Sequence, residues 1–300
     1  MSCNTYHRRE LDSTDGVGVI GDAKRQLAAR SVQILKLLGR WLAMLPSVAL
    51  LMSNVASAAD VRVMISAGFF DVYSELGAEF ERATGHRLVT TRGPSTGDSP
   101  EAIPRRLTRG EPADVVILEG GSADELGKKG FVRTDSRIVL ALVQTGLVVR
   151  AGAPEPDIGS VELFRNVLLS AKSIAYSDSG SGRFIVETML PKLGIADQVM
   201  PKTRKVRGPP SGEPVAAVVA RGDAEIGLQD ASELIHVPGI AYVGPIPAEL
   251  DRNSTYAAVI TTQANEPEAA KALIRLLSSS QAEPIILKAG LTLPVRNPTQ

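Results

Sequence analysis

The chain has 300 residues, 33 basic and 33 acidic, and 44% of its residues are hydrophobic. That is the make-up of a soluble globular protein of one large or two ordinary domains. Zero net charge and 4% aromatic residues give no support for a nucleic-acid surface or an anionic-membrane partner.

The N-terminal part reads as an export signal. Arg30, Lys36 and Arg40 precede the apolar run 41–52, and small residues follow it through Ala58 and Ala59. Basic, apolar and small-residue regions in that order predict a cleaved secretory signal, with cleavage after Ala58 or Ala59 and a periplasmic mature protein. Residues 1–58 are assigned to this leader. The single cysteine, Cys3, lies within it, so disulfides and thiolate metal sites are not expected in the mature chain. Removing the leader also leaves the remainder mildly acidic, so any bound anion must be held by local donors.

From residue 60 onward, short β-type runs alternate with amphipathic helical runs. Strands are expected at 61–66, 86–92 and 114–118, with helices at 70–83, 100–109 and just before 129. The β-branched stretch 137–150 contains a glycine and no immediate helix, as expected for a strand crossing between two lobes. The Pro/Gly-rich segment 151–159 reads as a boundary. A second set follows, with helices at 161–171, 181–193 and 214–221 and strands at 173–177, 202–206, 225–229 and 240–243. A strand at 255–262 and helices at 267–278 and 281–289 close the chain. Alternation of this kind predicts α/β lobes, each a mainly parallel sheet covered by helices. Lobe 1 is assigned to 59–140 plus 250–300, and lobe 2 to 141–249.

Ligands of open α/β sheets bind beyond the carboxyl ends of the strands. Four loops there are rich in small donors, and they contain Ser66 and Gly68, Ser95 and Thr96, Ser177, Ser179 and Ser181, and Ser211. Glycine permits close backbone approach, and serine adds a hydroxyl donor. Each loop alone could be simple helix capping; four on one edge, two per lobe, point to a cleft. Arg92 and Arg183 flank these loops and could grip carboxylates, with Arg105 and Arg207 nearby. Glu119, Asp178, Glu213 and Asp230 are the nearby carboxylates, and Tyr176 and Gln229 end strands. No P-loop, dinucleotide fingerprint or nucleophile elbow is present. His86 and His236 have no metal-ligand spacing. No metal and no cofactor are expected, and no catalytic residue can be assigned.

Further motifs carry a resemblance. The first strand ends in Ser66. Gly110-Glu-Pro-Ala-Asp-Val-Val-Ile117, Lys172-Ser-Ile-Ala-Tyr-Ser177, Val219-Ala-Arg-Gly-Asp-Ala-Glu-Ile-Gly227 and the closing helix from Pro267 follow. Over nearly all of its mature length the chain resembles the molybdate-binding-protein-like branch of the periplasmic solute-binding proteins of ABC transporters. The resemblance implies a type II periplasmic-binding-protein fold, lobe 1 completed by the C-terminal helices, and a small anion held by neutral donors between the lobes. It matches Ser66 and Ser95 to the hydroxyl donors of the first lobe and implies a monomer delivering its ligand to an inner-membrane ABC permease. Molybdate binders carry a tyrosine before a Ser-Asp-Ala turn, whereas this chain has Gln229-Asp230-Ala231-Ser232. Gly93-Pro-Ser95, Ala102-Ile-Pro104, Arg109-Gly-Glu-Pro-Ala-Asp114 and Tyr242-Val-Gly-Pro-Ile-Pro247 resemble the aconitate-isomerase-type offshoot of the same family. That offshoot interconverts cis- and trans-aconitate by a metal-free allylic proton shift. Two functions are therefore carried forward: a binder of a tricarboxylate or oxyanion, and an isomerase of an unsaturated tricarboxylate.

Overall fold

A computed structural model describes residues 58–252 and 254–294; the expected signal segment lies outside them. The described chain forms two five-stranded sheets. The first has the order β2-β1-β3-β10-β4, built from β1 (Asp60–Ile65), β2 (Arg87–Arg92), β3 (Val115–Glu119), β4 (Ile138–Val143) and β10 (Ser254–Ile260). The second has the order β7-β6-β8-β5-β9, built from β5 (Thr145–Arg150), β6 (Ile174–Ser177), β7 (Thr203–Val206), β8 (Ile226–Asp230) and β9 (Ile240–Pro245). In each sheet four strands share a direction, and one runs against both neighbours: β10 in the first and β5 in the second. The α/β architecture expected from the alternation is the one observed.

Strands buried on both faces explain the near-continuous apolar runs. In β3, Val115 and Ile117 pack with Val63, Ile65 and Leu273 on one face. Val116 and Leu118 pack with Ile103 and Leu126 on the other. The helix α1 (Phe70–Thr84) buries Val72, Tyr73, Leu76 and Phe80, a three-to-four-residue repeat that faces the first sheet. It ends at Gly85, whose φ of 74° is the left-handed cap conformation that glycine adopts without a Cβ clash. Helices α2 (Ile103–Thr108) and α3 (Gly120–Lys128) cover the opposite face. In the second half, α4 (Val161–Ser170) packs on one face and α6 (Val215–Arg221) on the other. On the α4 face also lies α5, which runs from Gly180–Phe184 through a π-helical turn, Ile185–Met189, into Leu190–Lys192. The closing helices α7 (Pro267–Leu277) and α8 (Glu283–Lys288) return to the first sheet. Buried Asp114 pins that return. Its carboxylate accepts from the Arg62 amide at 2.7 Å, Asn265 at 2.7 Å and Glu266 at 3.0 Å, satisfying amides at the start of α7.

The chain passes between the sheets twice. The stretch 137–150 is two strands, β4 in the first sheet and β5 in the second, with Gln144 between them. The return runs from β9 towards β10 through 246–252. These two segments lie side by side, with the Ile246 amide donating to the Thr145 carbonyl at 2.9 Å and the Thr145 amide to Asp251 at 3.2 Å. Segment 151–159 is not a boundary. It follows β5 and turns within the second half, its glycine and proline content serving a surface turn around Gly152 at φ 81°.

Candidate functional site

The carboxyl ends of β1, β2 and β3 face those of β6, β7 and β8 across a cleft. The turn Ala67–Phe69 after β1 packs against the turn Ala231–Glu233 after β8. Between the halves lies a cavity of about 30 Å³, lined by Ser66, Ser95, Glu119, Ser177, Ser179, Gln229, Glu233 and Tyr256 among others. That is room for roughly two waters. Two larger cavities, about 790 Å³ and 680 Å³, flank it and share Thr96, Gly97, Arg183 and Glu187 in their walls. The Arg183 guanidinium donates to Thr96 Oγ1 at 2.5 Å across the cleft. This is a closed arrangement.

Two polar atoms on the inner cavity wall, one hydroxyl and one amide oxygen, have no partner among the described residues. Ser66 Oγ is buried with no hydrogen-bond partner, as is Gln229 Oε1. Buried polar atoms are almost always satisfied, so two unpartnered atoms on one cavity wall set this cavity apart from the rest of the interior. Ser95 Oγ accepts from the Glu119 amide at 3.1 Å, which leaves its own proton to donate. The hydroxyls of Ser177, Ser179 and Ser181 form a triangle of 2.7, 2.9 and 3.2 Å.

Arg92 ends β2 with its guanidinium 3.9 Å from the Phe70 ring centroid, a cation–π contact. Arg105 reaches the larger outer cavity, and Arg207 the smaller. Four expected site residues, Gly68, Arg92, Ser181 and Ser211, line none of the three cleft cavities. Ser211 is exposed on a turn; Gly208 and Pro209 take its place in the wall. Gly68 is buried behind the wall, and a Cβ there would sit 1.9 Å from the Tyr256 hydroxyl. Its role is to admit that tyrosine. Among the carboxylates, Glu213 is a surface partner of Arg221, and Asp178 accepts from the Gly208 amide at 3.1 Å.

Three residues central to the cleft had no sequence motif: Arg252, Glu233 and Tyr256. Arg252 Nη2 donates to Glu119 at 2.8 Å and to Asp230 at 2.7 Å, so one cation ties the end of β3 to the end of β8. The Tyr256 hydroxyl donates to the other Asp230 oxygen at 3.0 Å. Burial raises the Glu119 carboxyl, Arg252 opposes that rise, and Asp230 adds to it. For Arg252, burial works against its charge, but Asp230 and Glu119 outweigh burial and hold its proton more tightly than usual. The Glu233 carboxyl, bonded to Gln229 Nε2 at 2.6 Å, is pushed up to about 8 by burial and by the charges of Asp230 and Glu119. Among the described residues, no group of three or more His, Cys, Asp or Glu is placed to hold a metal ion.

A family model described as bacterial extracellular solute-binding protein matches residues 61–292. The chain belongs to that family. This solute-binding protein is 41% identical over 229 residues to an aconitate isomerase of a Pseudomonas species, spanning 76% of this chain and 86% of that one. It is 27% identical over 244 residues to the molybdate-binding protein ModA of Azotobacter vinelandii, 80% of this chain and 92% of the relative. The periplasmic molybdate-binding protein of A. vinelandii has the same fold, with a TM-score of 0.62, 22% identity and coverage of 78% and 99%. So has the sulfate-binding protein SubI of Mycobacterium tuberculosis, with a TM-score of 0.62, 16% identity and coverage of 79% and 88%. The fold is the one these molybdate- and sulfate-binding proteins share.

Within this solute-binding protein, Ser66 gives a clean test of the cavity. Its hydroxyl makes no bond inside the protein, so Ser66→Ala should leave thermal stability unchanged. Loss of a hydrogen bond to an anion costs about 1.5–3 kcal/mol, so ligand affinity measured by calorimetry should fall roughly ten- to hundredfold. Unchanged affinity would place the ligand elsewhere.

Proposed function

We propose that this protein is exported and that its interlobe cleft holds a small polycarboxylate of the aconitate and citrate class. The observation that carries this reading is the unsatisfied hydroxyl donor of Ser66, buried on the wall of the inner cavity. The 41% identity to an aconitate isomerase favours a carboxylate over a metal oxyanion, and Gln229-Asp230 at the end of β8 departs from the molybdate pattern. A tricarboxylate does not fit a cavity of about 30 Å³. The lobes must part about Gln144 and 246–252 to admit it and then close over it, with the inner space joined to the flanking cavities, where Arg183 lies. Ser66, Ser95, Ser177, Ser179, Gln229 and Arg183 are the ligand-facing set in this reading. β1 begins at Asp60, so signal cleavage after Ala58 or Ala59 leaves every strand intact. Delivery to an inner-membrane permease is the partner role that goes with binding.

Calorimetry on the mature protein with trans-aconitate, citrate, molybdate and sulfate tests the proposal. Tricarboxylates should bind, and at about 100 times the dissociation constant they should add about 2.7 kcal/mol of stability. Molybdate binding more tightly than every tricarboxylate would overturn it.

A second reading, isomerisation of the bound tricarboxylate, is favoured by one feature. The Glu233 carboxyl lines the inner cavity and is held at about 8, near the pH where a general base works best. Incubation with trans-aconitate should then yield the cis isomer, followed by proton NMR.

A further inference from the structure

We propose that Glu233 is the catalytic proton carrier of this site, moving one proton between the two ends of the allylic system of an unsaturated tricarboxylate, with Gln229 as its positioning residue. This rests on the isomerase reading.

Three carboxylates line the inner cavity: Glu119, Asp178 and Glu233. Two are engaged. Glu119 carries the Arg252 guanidinium, and Asp178 accepts from the Gly208 amide. Glu233 has no ion-pair partner among the described residues; its bond is to the neutral amide of Gln229. The charged groups acting on it come from each neighbouring element: Asp230 at the end of β8, Glu119 at the end of β3, Arg252 on the return segment and Arg92 at the end of β2. Burial and the two acids outweigh the two arginines, so the carboxyl is a stronger base than an ordinary glutamate while remaining partly ionised near neutral pH. A base for carbon acids requires that combination.

Gln229 completes the arrangement. With Glu233 ionised, the amide NH₂ faces the carboxylate, as observed at 2.6 Å. With Glu233 protonated, the amide can turn, accept the new O–H through Oε1 and aim its NH₂ at the ligand. The unpartnered Oε1 is the atom that this turn would satisfy.

The step balances without an oxidant or a metal. The Glu233 carboxylate removes a proton from the CH₂ carbon that lies between a carboxylate and the double bond. The C–H electron pair becomes the new π bond, and the old π pair moves to the far carbon. That carbon takes the proton back from the Glu233 carboxylic acid. Ser66 and Ser95 hydroxyls stand on the same wall to stabilise charge that builds on a ligand carboxylate.

The test uses the mature protein, trans-aconitate and Glu233→Gln, read by calorimetry and by NMR in D₂O. The wild type should form cis-aconitate, with solvent deuterium entering the new CH₂ carbon to the extent that the Glu233 acid exchanges with solvent between removal and return of the proton. Glu233→Gln should bind trans-aconitate within about tenfold of wild type but lose at least a hundredfold in kcat and deuterium incorporation. Glu233→Asp, which keeps a carboxyl one methylene further back, should fold and lose kcat with KM nearly unchanged. Below about pH 8 the wild-type rate should fall about tenfold per pH unit, and Glu233→Gln should show no such limb. Turnover retained by Glu233→Gln, or a loss confined to KM in Glu233→Asp, overturns the assignment alone. A wild type that binds trans-aconitate and never forms the cis isomer removes the isomerase reading and this assignment together.

Discussion

Arg252→Ala is expected to destabilise the protein by about 3–5 kcal/mol, the usual cost of removing one partner from a buried charge cluster. Arg252 is the only cation bonded to Glu119 and Asp230 among the described residues, and their side chains are 10% and 2% exposed. Without it, two carboxylates face each other in the cleft with Glu233 close by. At roughly 2–4 °C per kcal/mol for a domain of this size, the melting temperature should drop by roughly 10 °C. The pH dependence gives the cause. The Glu119 carboxyl is already raised by burial, and Arg252 is the group that opposes the rise. In the variant, the folded state therefore holds the Glu119 proton even more tightly than the unfolded state does. Stability of Arg252→Ala should then recover as pH falls from 8 towards 5 and decline as pH rises through that range. Pairing it with Glu119→Gln should restore much of the loss. A destabilisation that is flat with pH would mean that Arg252 matters for packing and not for charge.

Gly180→Ala should cripple ligand binding while leaving the fold intact. A Cβ on Gly180 would lie 1.8 Å from Glu119 Oε2 and 2.5 Å from its Cδ. Gly180 opens α5 in the second half, and Glu119 ends β3 in the first, so the clash exists only when the cleft is shut. Glu119 cannot swing away cheaply because Arg252 holds it. Within its own half the change is mild, since alanine in place of a helical glycine gains up to about 1 kcal/mol. The ligand must then bind a form whose closed population is reduced, and apparent affinity falls in proportion. A loss of a hundredfold or more, with unliganded melting temperature unchanged or slightly higher, is the expected pair of results. Small-angle scattering should show no compaction on adding ligand. Wild-type affinity in Gly180→Ala would show that the bound state does not bring Glu119 against α5.

The fold was legible because its information is local. Strands such as β3, buried on both faces, read as continuous apolar runs, and α1 repeats its apolar residues every three or four positions and stops at Gly85. Ser66, Ser95, Ser177 and Gln229 could be listed as candidates because strand ends in such sheets point to one edge. Ser211 was misplaced because the loop after β7 turns away at Gly208 and Pro209, and loop composition does not encode direction. Arg252, Glu233 and Tyr256 were missed for a different reason. Arg252 meets Glu119 across 133 positions and Asp230 across 22, and no short-range pattern marks a pairing that tertiary closure creates. The nearest available signal was the cluster of polar residues following Gln229, one position short of Glu233.

The placement of β10 sets when the protein can finish folding. It lies between β3 and β4, yet more than a hundred residues separate it from either. Until the ribosome has released Ser254–Ile260, the first sheet lacks its fourth strand, and the edges of β3 and β4 that it covers are open to pairing with other chains. Its assembly depends on contacts of high sequence separation, which form slowly. A fragment truncated ahead of β10 should therefore aggregate instead of yielding a single working lobe.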